Sequence, residues 1–154
     1  MTTDFKVHPA AGNQFSHGQA QLRQIVEDVL KYAREQGASA CETEVSEGLG
    51  QTVTVRCGEV ETIEYNRDKS IGVTVYVGKR RGHASTSDFA PQAIRATVSA
   101  ALSIAKFTAS DDYAGLADEE LLAREIPDLD LFHPWELPVE RAIELAKACE
   151  DAAF

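Results

Sequence analysis

The residue types that do most enzymatic work are thinly and irregularly spread along this chain. Histidines stand at His8, His17, His83 and His133, and no two are three or four residues apart, the spacing that places a pair of metal ligands on one helix face. Cys41, Cys57 and Cys149 are odd in number and far apart, which suits neither a disulfide framework nor a close-spaced zinc motif. Free cysteine behaves as a small hydrophobe, so all three are expected to be buried or half-buried. No serine occupies a Gly-x-Ser-x-Gly elbow, and no cysteine has a histidine near it in sequence. Nucleophilic catalysis would need partners assembled in space. Ser85, Thr86 and Ser87 read as the filling of a strand that faces water. The acidic groups at 111–112 and 118–120 lack the spacing of a calcium loop and read as solvated charges. There is no Gly-Lys-Ser phosphate loop, and "GLGQTV" has too few glycines for a dinucleotide fingerprint. The residues therefore assign no catalytic, cofactor-binding or metal site to this chain.

One cluster asks for a different explanation. Lys79, Arg80 and Arg81 stand together between Gly78 and Gly82, in a chain with 25 acidic and 15 basic side chains and a formal charge of -10. Bracketing glycines suit the tip of a β-hairpin, where charges keep the edge solvated. The same three cations could form a docking turn, because Arg pairs well with carboxylates and a positive loop on a negative protein steers an acidic partner. Both readings stay open on sequence alone.

The elements that must carry these residues are set by hydrophobic period. Leu22, Ile25, Val26, Val29, Leu30 and Ala33 recur at steps of three and four, one stripe of a helix that Gly37 stops. From Ala40 the period becomes two: Cys41, Thr43 and Val45 on one side of a first strand, then a turn at "GLG" (48–50), then Val53, Val55 and Cys57 on one side of a second. A turn at Gly58 and Glu59 leads to "EVETIEYN", where Val60 has one parity and Ile63 with Tyr65 the other, which predicts a bulge. "SIGVTVYVG" is the cleanest strand, with Ile71, Val73, Val75 and Val77 on one face. The "GHASTSD" run after the basic turn has no large aliphatic residue and reads as an edge strand, with Asp88 placed to cap the next helix. Pro91 opens that Ala-rich helix, with Ile94, Val98, Ala101, Leu102 and Ala105 as its stripe. "LADEELLA" offers one or two helical turns, and a Pro-punctuated segment leads to a last helix striped by Val139, Ala142, Ile143, Ala146 and Cys149. The fold class expected is α+β: an antiparallel or mixed β-sheet with long amphipathic helices packed on one face.

At 154 residues and 44% hydrophobic content the chain can bury one core unaided. The expected organisation is a loose tail over 1–17 and a single domain over 18–154. The acidic balance repels phosphate backbones and anionic lipid, so neither nucleic acid nor membrane is an expected partner. The N-terminus lacks the apolar core of a secretory signal and no run approaches the roughly 20 residues of a membrane span, which makes the expected compartment the cytoplasm. The last helix runs out at Phe154 without a Gly, Asn or Pro. That pattern is expected of a piece of a longer protein, whose exposed stripe would favour self-association.

The string "GEVETIEYNRDKSIGVTVYVGKRRGHASTSDFAPQAIRATVSAALSIAKFT", followed by "GLADEELL" and "PDLDLFHP", resembles the N-terminal region of the TldD/PmbA family of metallopeptidases, on its PmbA (TldE) side. The resemblance implies an N-terminal domain of a protein several hundred residues long. It implies partnership with a TldD-like subunit in a bacterial cytoplasmic complex that processes unfolded peptides, including microcin precursors and an antitoxin. Zinc would sit in that TldD-type partner, on a His-Glu-x-x-x-His helix in its C-terminal half. No residue of that motif can be placed here, since the chain contains no His-Glu pair. The function expected is a structural and substrate-corralling domain; the alternative is a stand-alone binding or regulatory module without catalysis.

Overall fold

The computed structural model describes residues 15–123, 125, 127, 129–131, 133 and 135–154. The elements run α1 (Gln19–Glu35), β1 (Ala40–Arg56), β2 (Glu59–Val77), β3 (Arg80–Thr86), α2 (Pro91–Phe107), a single 3-10 turn (Glu119–Leu121) and α3 (Val139–Ala153). The three strands form one antiparallel sheet in the order β1-β2-β3. This is the α+β class that the change of period from 3.6 to 2 and back predicts. Asp128, Phe132 and Pro134 of the "PDLDLFHP" stretch lie outside the described residues, as do residues 1–14.

The sequence divides the hairpin into more strands than there are. The expected turn at 48–50 does not exist: β1 passes straight through Gly48 and Gly50. The parity explains it. Cys41, Thr43 and Val45 and then Val53 and Val55 are all odd, so the alternation keeps its phase across the glycines, which a turn would preserve only by accident. Likewise "EVETIEYN" and "SIGVTVYVG" are one strand, β2. The two-residue loop faces Arg56 with Glu59.

The β1–β2 loop is Cys57-Gly58, with φ of 53° and 78°. Two consecutive left-handed residues are what a type I′ hairpin turn requires, and Asn-Gly is the usual solution. Cysteine pays a steric penalty there that glycine avoids. Replacing Cys57 with asparagine is expected to raise stability by about 0.5–1 kcal/mol, read as a higher urea midpoint; a lower midpoint would contradict the assignment of strain to that residue.

Two compact units divide the chain. Of the described residues, one comprises those within 17–48 and 68–126, the other those within 15–16, 49–67 and 127–154. The first holds the main core. Val29 and Ala33 of α1, Ile71, Val73 and Val75 of β2, and Ile94, Val98, Ala101, Leu102 and Ala105 of α2 make one buried cluster. Each belongs to a stripe or face read from the sequence. The α2 stripe is buried residue for residue, and Pro91 sits at the start of that helix as expected. Asp88 is not the cap: Ala90 holds that position, and the Asp88 carboxylate accepts from the Ala90 N–H at 2.8 Å, two residues short of capping the helix.

β2 and β3 pair with Val77 opposite Arg80, Val75 opposite Gly82 and Val73 opposite Ala84. Gly78, with φ of 61°, is the turn glycine of that hairpin. Gly82 is not, contrary to the bracketed-turn reading: it lies buried within β3. A β-carbon there would lie against the Ala101 carbonyl oxygen, 2.5 Å from the Ala105 nitrogen and 3.0 Å from the Ala105 β-carbon. Gly82, Ala84 and Thr86, the alternate positions in phase with Gly82, are small, and at Gly82 the α2 backbone lies directly on the strand.

In the other unit, β1 from residue 49 and β2 up to residue 67 form a two-stranded ribbon with α3. A lone ribbon of this kind is marginal without support, and α3 provides one specific tie. The Glu150 carboxylate accepts from the Cys57 N–H at 2.6 Å and from the Gly58 N–H at 2.7 Å. Cys57 and Cys149 are exposed and Cys41 half-buried, so the expectation of shelter fails for two of three cysteines. The turn consumes Cys57 for its backbone, and Cys149 lies on the exposed side of α3.

Candidate functional site

The sheet face opposite the helices in the larger unit is polar. Cross-strand pairing sets Tyr76 beside Arg81 and Thr74 beside His83. The buried Tyr76 hydroxyl donates to Glu42 Oε1 at 3.0 Å, and Thr74 Oγ1 and His83 Nδ1 are 3.0 Å apart. Burial, reinforced by the Glu42 carboxylate, raises the Tyr76 phenol above its ordinary range, so it acts as a fixed donor. Burial and the same carboxylate also raise the Cys41 thiol. Raised pKa is the opposite of what a thiolate nucleophile needs.

The basic turn is tied to its own unit. Arg80 Nη1 donates to the Lys106 carbonyl at 3.0 Å, and so caps the C-terminal end of α2. Lys79 Nζ donates to the Ala114 carbonyl at 3.3 Å, and the Lys79 carbonyl accepts from the Asp111 N–H at 2.9 Å. All three basic residues remain exposed. Of the histidines, His17, at the end of the expected tail, contacts Glu47 through its backbone N–H at 3.1 Å and its Nδ1 at 3.2 Å. Its ring lies 5.0 Å from that of Phe89. His133 approaches Asp130 at 3.7 Å, and His8 lies outside the described residues. Among the described residues no group of three His, Cys, Asp or Glu side chains is placed to hold a metal ion.

One cavity is not announced by the sequence. A groove of about 610 Å³ in the smaller unit is lined by Leu49, Gly50 and Gln51 of β1, Tyr65, Asn66 and Arg67 of β2, and residues 135–138. Its walls combine two aromatic rings, two side-chain amides and one charge of each sign. No motif spacing announces it, because its three stretches are separated by more than ten and then more than sixty residues. The one available signal was a glycine inside an unbroken alternation.

What the geometry defines is an α+β fold with a polar sheet face and a groove of mixed chemistry. The chain belongs to the PmbA/TldD family: the profile described as "PmbA/TldA metallopeptidase domain 1" matches residues 41–105. It is 48% identical over 135 residues to the metalloprotease PmbA of Escherichia coli O157:H7, covering 86% of this chain and 30% of that protein. It is 44% identical over 134 residues to a metalloprotease PmbA homolog of Haemophilus influenzae, covering 87% and 30%. The chain thus spans under one third of the length of these relatives. Among solved structures, a proposed modulator of DNA gyrase from Bacteroides thetaiotaomicron superimposes with a TM-score of 0.75 at 18% identity, over 88% of this chain and 31% of that one. TldE from Thermococcus kodakarensis gives 0.65 at 17% identity, over 83% and 29%. At such identities the two structures speak for the fold.

Proposed function

We propose that this chain is the N-terminal domain of a PmbA/TldE-type subunit, and that it holds unfolded peptide substrate within a cytoplasmic zinc peptidase assembly whose hydrolytic centre lies on a TldD-like partner. The observation that carries this reading is the similarity to PmbA metalloproteases across nearly nine-tenths of the chain. The exposed, largely polar surfaces described above suit a wall that contacts peptide without reacting with it. Hydrolysis is assigned to the partner because the described side chains here offer no metal-capable cluster and burial raises the Cys41 thiol rather than lowering it.

The purified chain should leave fluorescein-labelled casein uncleaved, with or without added zinc. Joined to the rest of a PmbA-type subunit and mixed with a TldD-like subunit, it should co-elute with that partner and the mixture should cleave. Robust zinc-dependent cleavage by the chain alone would overturn the reading, and so would failure to co-elute.

A further inference from the structure

We infer that the groove of the smaller unit is a seat for an extended peptide segment carrying an aromatic side chain. The inference takes from the proposed function only that the ligand is an unfolded peptide; the seat itself is argued from three features.

The first is an unmatched donor. Among the described residues that are not exposed, Gln51 Nε2 is the one buried side-chain nitrogen or oxygen without a hydrogen-bond partner, and Gln51 lines the groove. Buried polar atoms are satisfied as a rule, and Gln51 as a residue is half-buried, so a turn of its amide toward the groove would give this donor an acceptor on a bound chain. A neutral carbonyl oxygen is the acceptor that suits it, because the groove also carries Arg67 and Glu136, whose charges oppose and leave no net field for an ion.

The second is Gly50. Glycine weakens a strand interior, and it is found there when something packs closely or when another backbone must approach. Nothing in the fold needs it. Its φ is not in the left-handed region, and an added β-carbon would meet only the Asn66 β-carbon at 4.0 Å, an ordinary contact. What the missing side chain does accomplish is to leave the β1 backbone bare in the middle of the groove, between Leu49 and Gln51.

The third is the pair of aromatic walls. Tyr65 is 67% exposed and Trp135 63% exposed, yet both line the same groove. Two accessible rings offer a flat apolar side chain offset or edge contacts worth more than area alone. Amides for the backbone, rings for one side chain, and a bare stretch of strand together describe a peptide; a nucleotide or an acid would call for net positive charge.

Trp135 is the only tryptophan of the chain, so its emission reports the groove directly. Titrating the purified 154-residue chain with the tryptophan-free peptide acetyl-Ala-Ala-Phe-Ala-Ala-amide should shift that emission to the blue and saturate. An acetyl-Gly-Ser-Gly-Ser-Gly-amide control should leave it unchanged. Gly50→Val should weaken binding by at least about tenfold while leaving the circular dichroism spectrum and urea midpoint intact, because the fold has room for the side chain. Gln51→Leu, which removes one hydrogen-bond donor, should weaken it by about fivefold. No saturable shift with the phenylalanine peptide would overturn the inference, as would an equal response to the control or unchanged affinity in a folded Gly50→Val chain. These outcomes separate from those of the proposed function: cleavage by the assembly without binding here defeats only the groove, and binding here without co-elution defeats only the assembly.

Discussion

Replacing Gly82 with alanine should destabilise the larger unit by about 3 kcal/mol, a large effect for a single methyl group. That methyl would enter the backbone of α2, against the Ala101 carbonyl oxygen and the Ala105 nitrogen. Neither neighbour can swing aside as a long side chain would. The helix must lift from β3, and Val98, Ala101, Leu102 and Ala105, all buried at that face, lose close contact together. Protein interiors tolerate little such displacement because packing is dense and dispersion falls off within a fraction of an ångström. Gly72→Ala is the matched control: its β-carbon would meet His83 Cε1 at 3.6 Å, an ordinary contact on the open sheet face, and the variant should be as stable as the parent or slightly more so. Urea denaturation of the two variants checks the pair. Equal midpoints would show that α2 does not rest on β3 as described.

The contrast between these glycines shows which parts of the fold the sequence could yield. Where burial obeys a period, single residues were enough: Ile71, Val73 and Val75 alternate, Ile94, Val98, Ala101, Leu102 and Ala105 recur at helical steps, and all are buried. Where a residue's role depends on what lies across space, composition misled. Gly48, Gly50 and Gly82 all suggest turns by type, yet each is in a strand, one of them because a helix backbone needs the space. The parity of residues 41 to 55 carried the correct answer for the first two, since an unbroken phase favours one strand over two. Lys79 and Arg80 looked like a free basic loop, and their carbonyl partners at Ala114 and Lys106 lie more than twenty-five residues away. The groove joins residues 49–51, 65–67 and 135–138, a conjunction that only the folded chain creates.

The second large effect is expected at Glu150, where truncation to alanine should cost about 2 kcal/mol in the smaller unit. Both carboxylate oxygens are engaged, by the Cys57 and Gly58 N–H groups at 2.6 and 2.7 Å. Short bonds from two consecutive N–H groups of a left-handed turn form a concave anion seat, and bonds to a charged acceptor contribute about 1.5–3 kcal/mol. Exposure of the tip moderates the sum, since Cys57 is open to water. The contact spans 93 residues in sequence, so it fixes α3 to a ribbon that has few other means of support. It also accounts for a strained Cys57: the turn conformation that is awkward for its side chain is the one that aims two N–H groups at the same carboxylate. Glu150→Gln keeps one carbonyl acceptor and loses the charge, and should cost about half as much. Hydrogen exchange at the Cys57 and Gly58 amides gives the local readout. Both should exchange faster in Glu150→Ala, with Glu150→Gln between it and the parent, while the amides of Val73 and Val75 in the other unit keep their protection. Unchanged exchange at the tip would mean that the carboxylate does not hold the turn, and uniform acceleration everywhere would mean that the two units do not open separately.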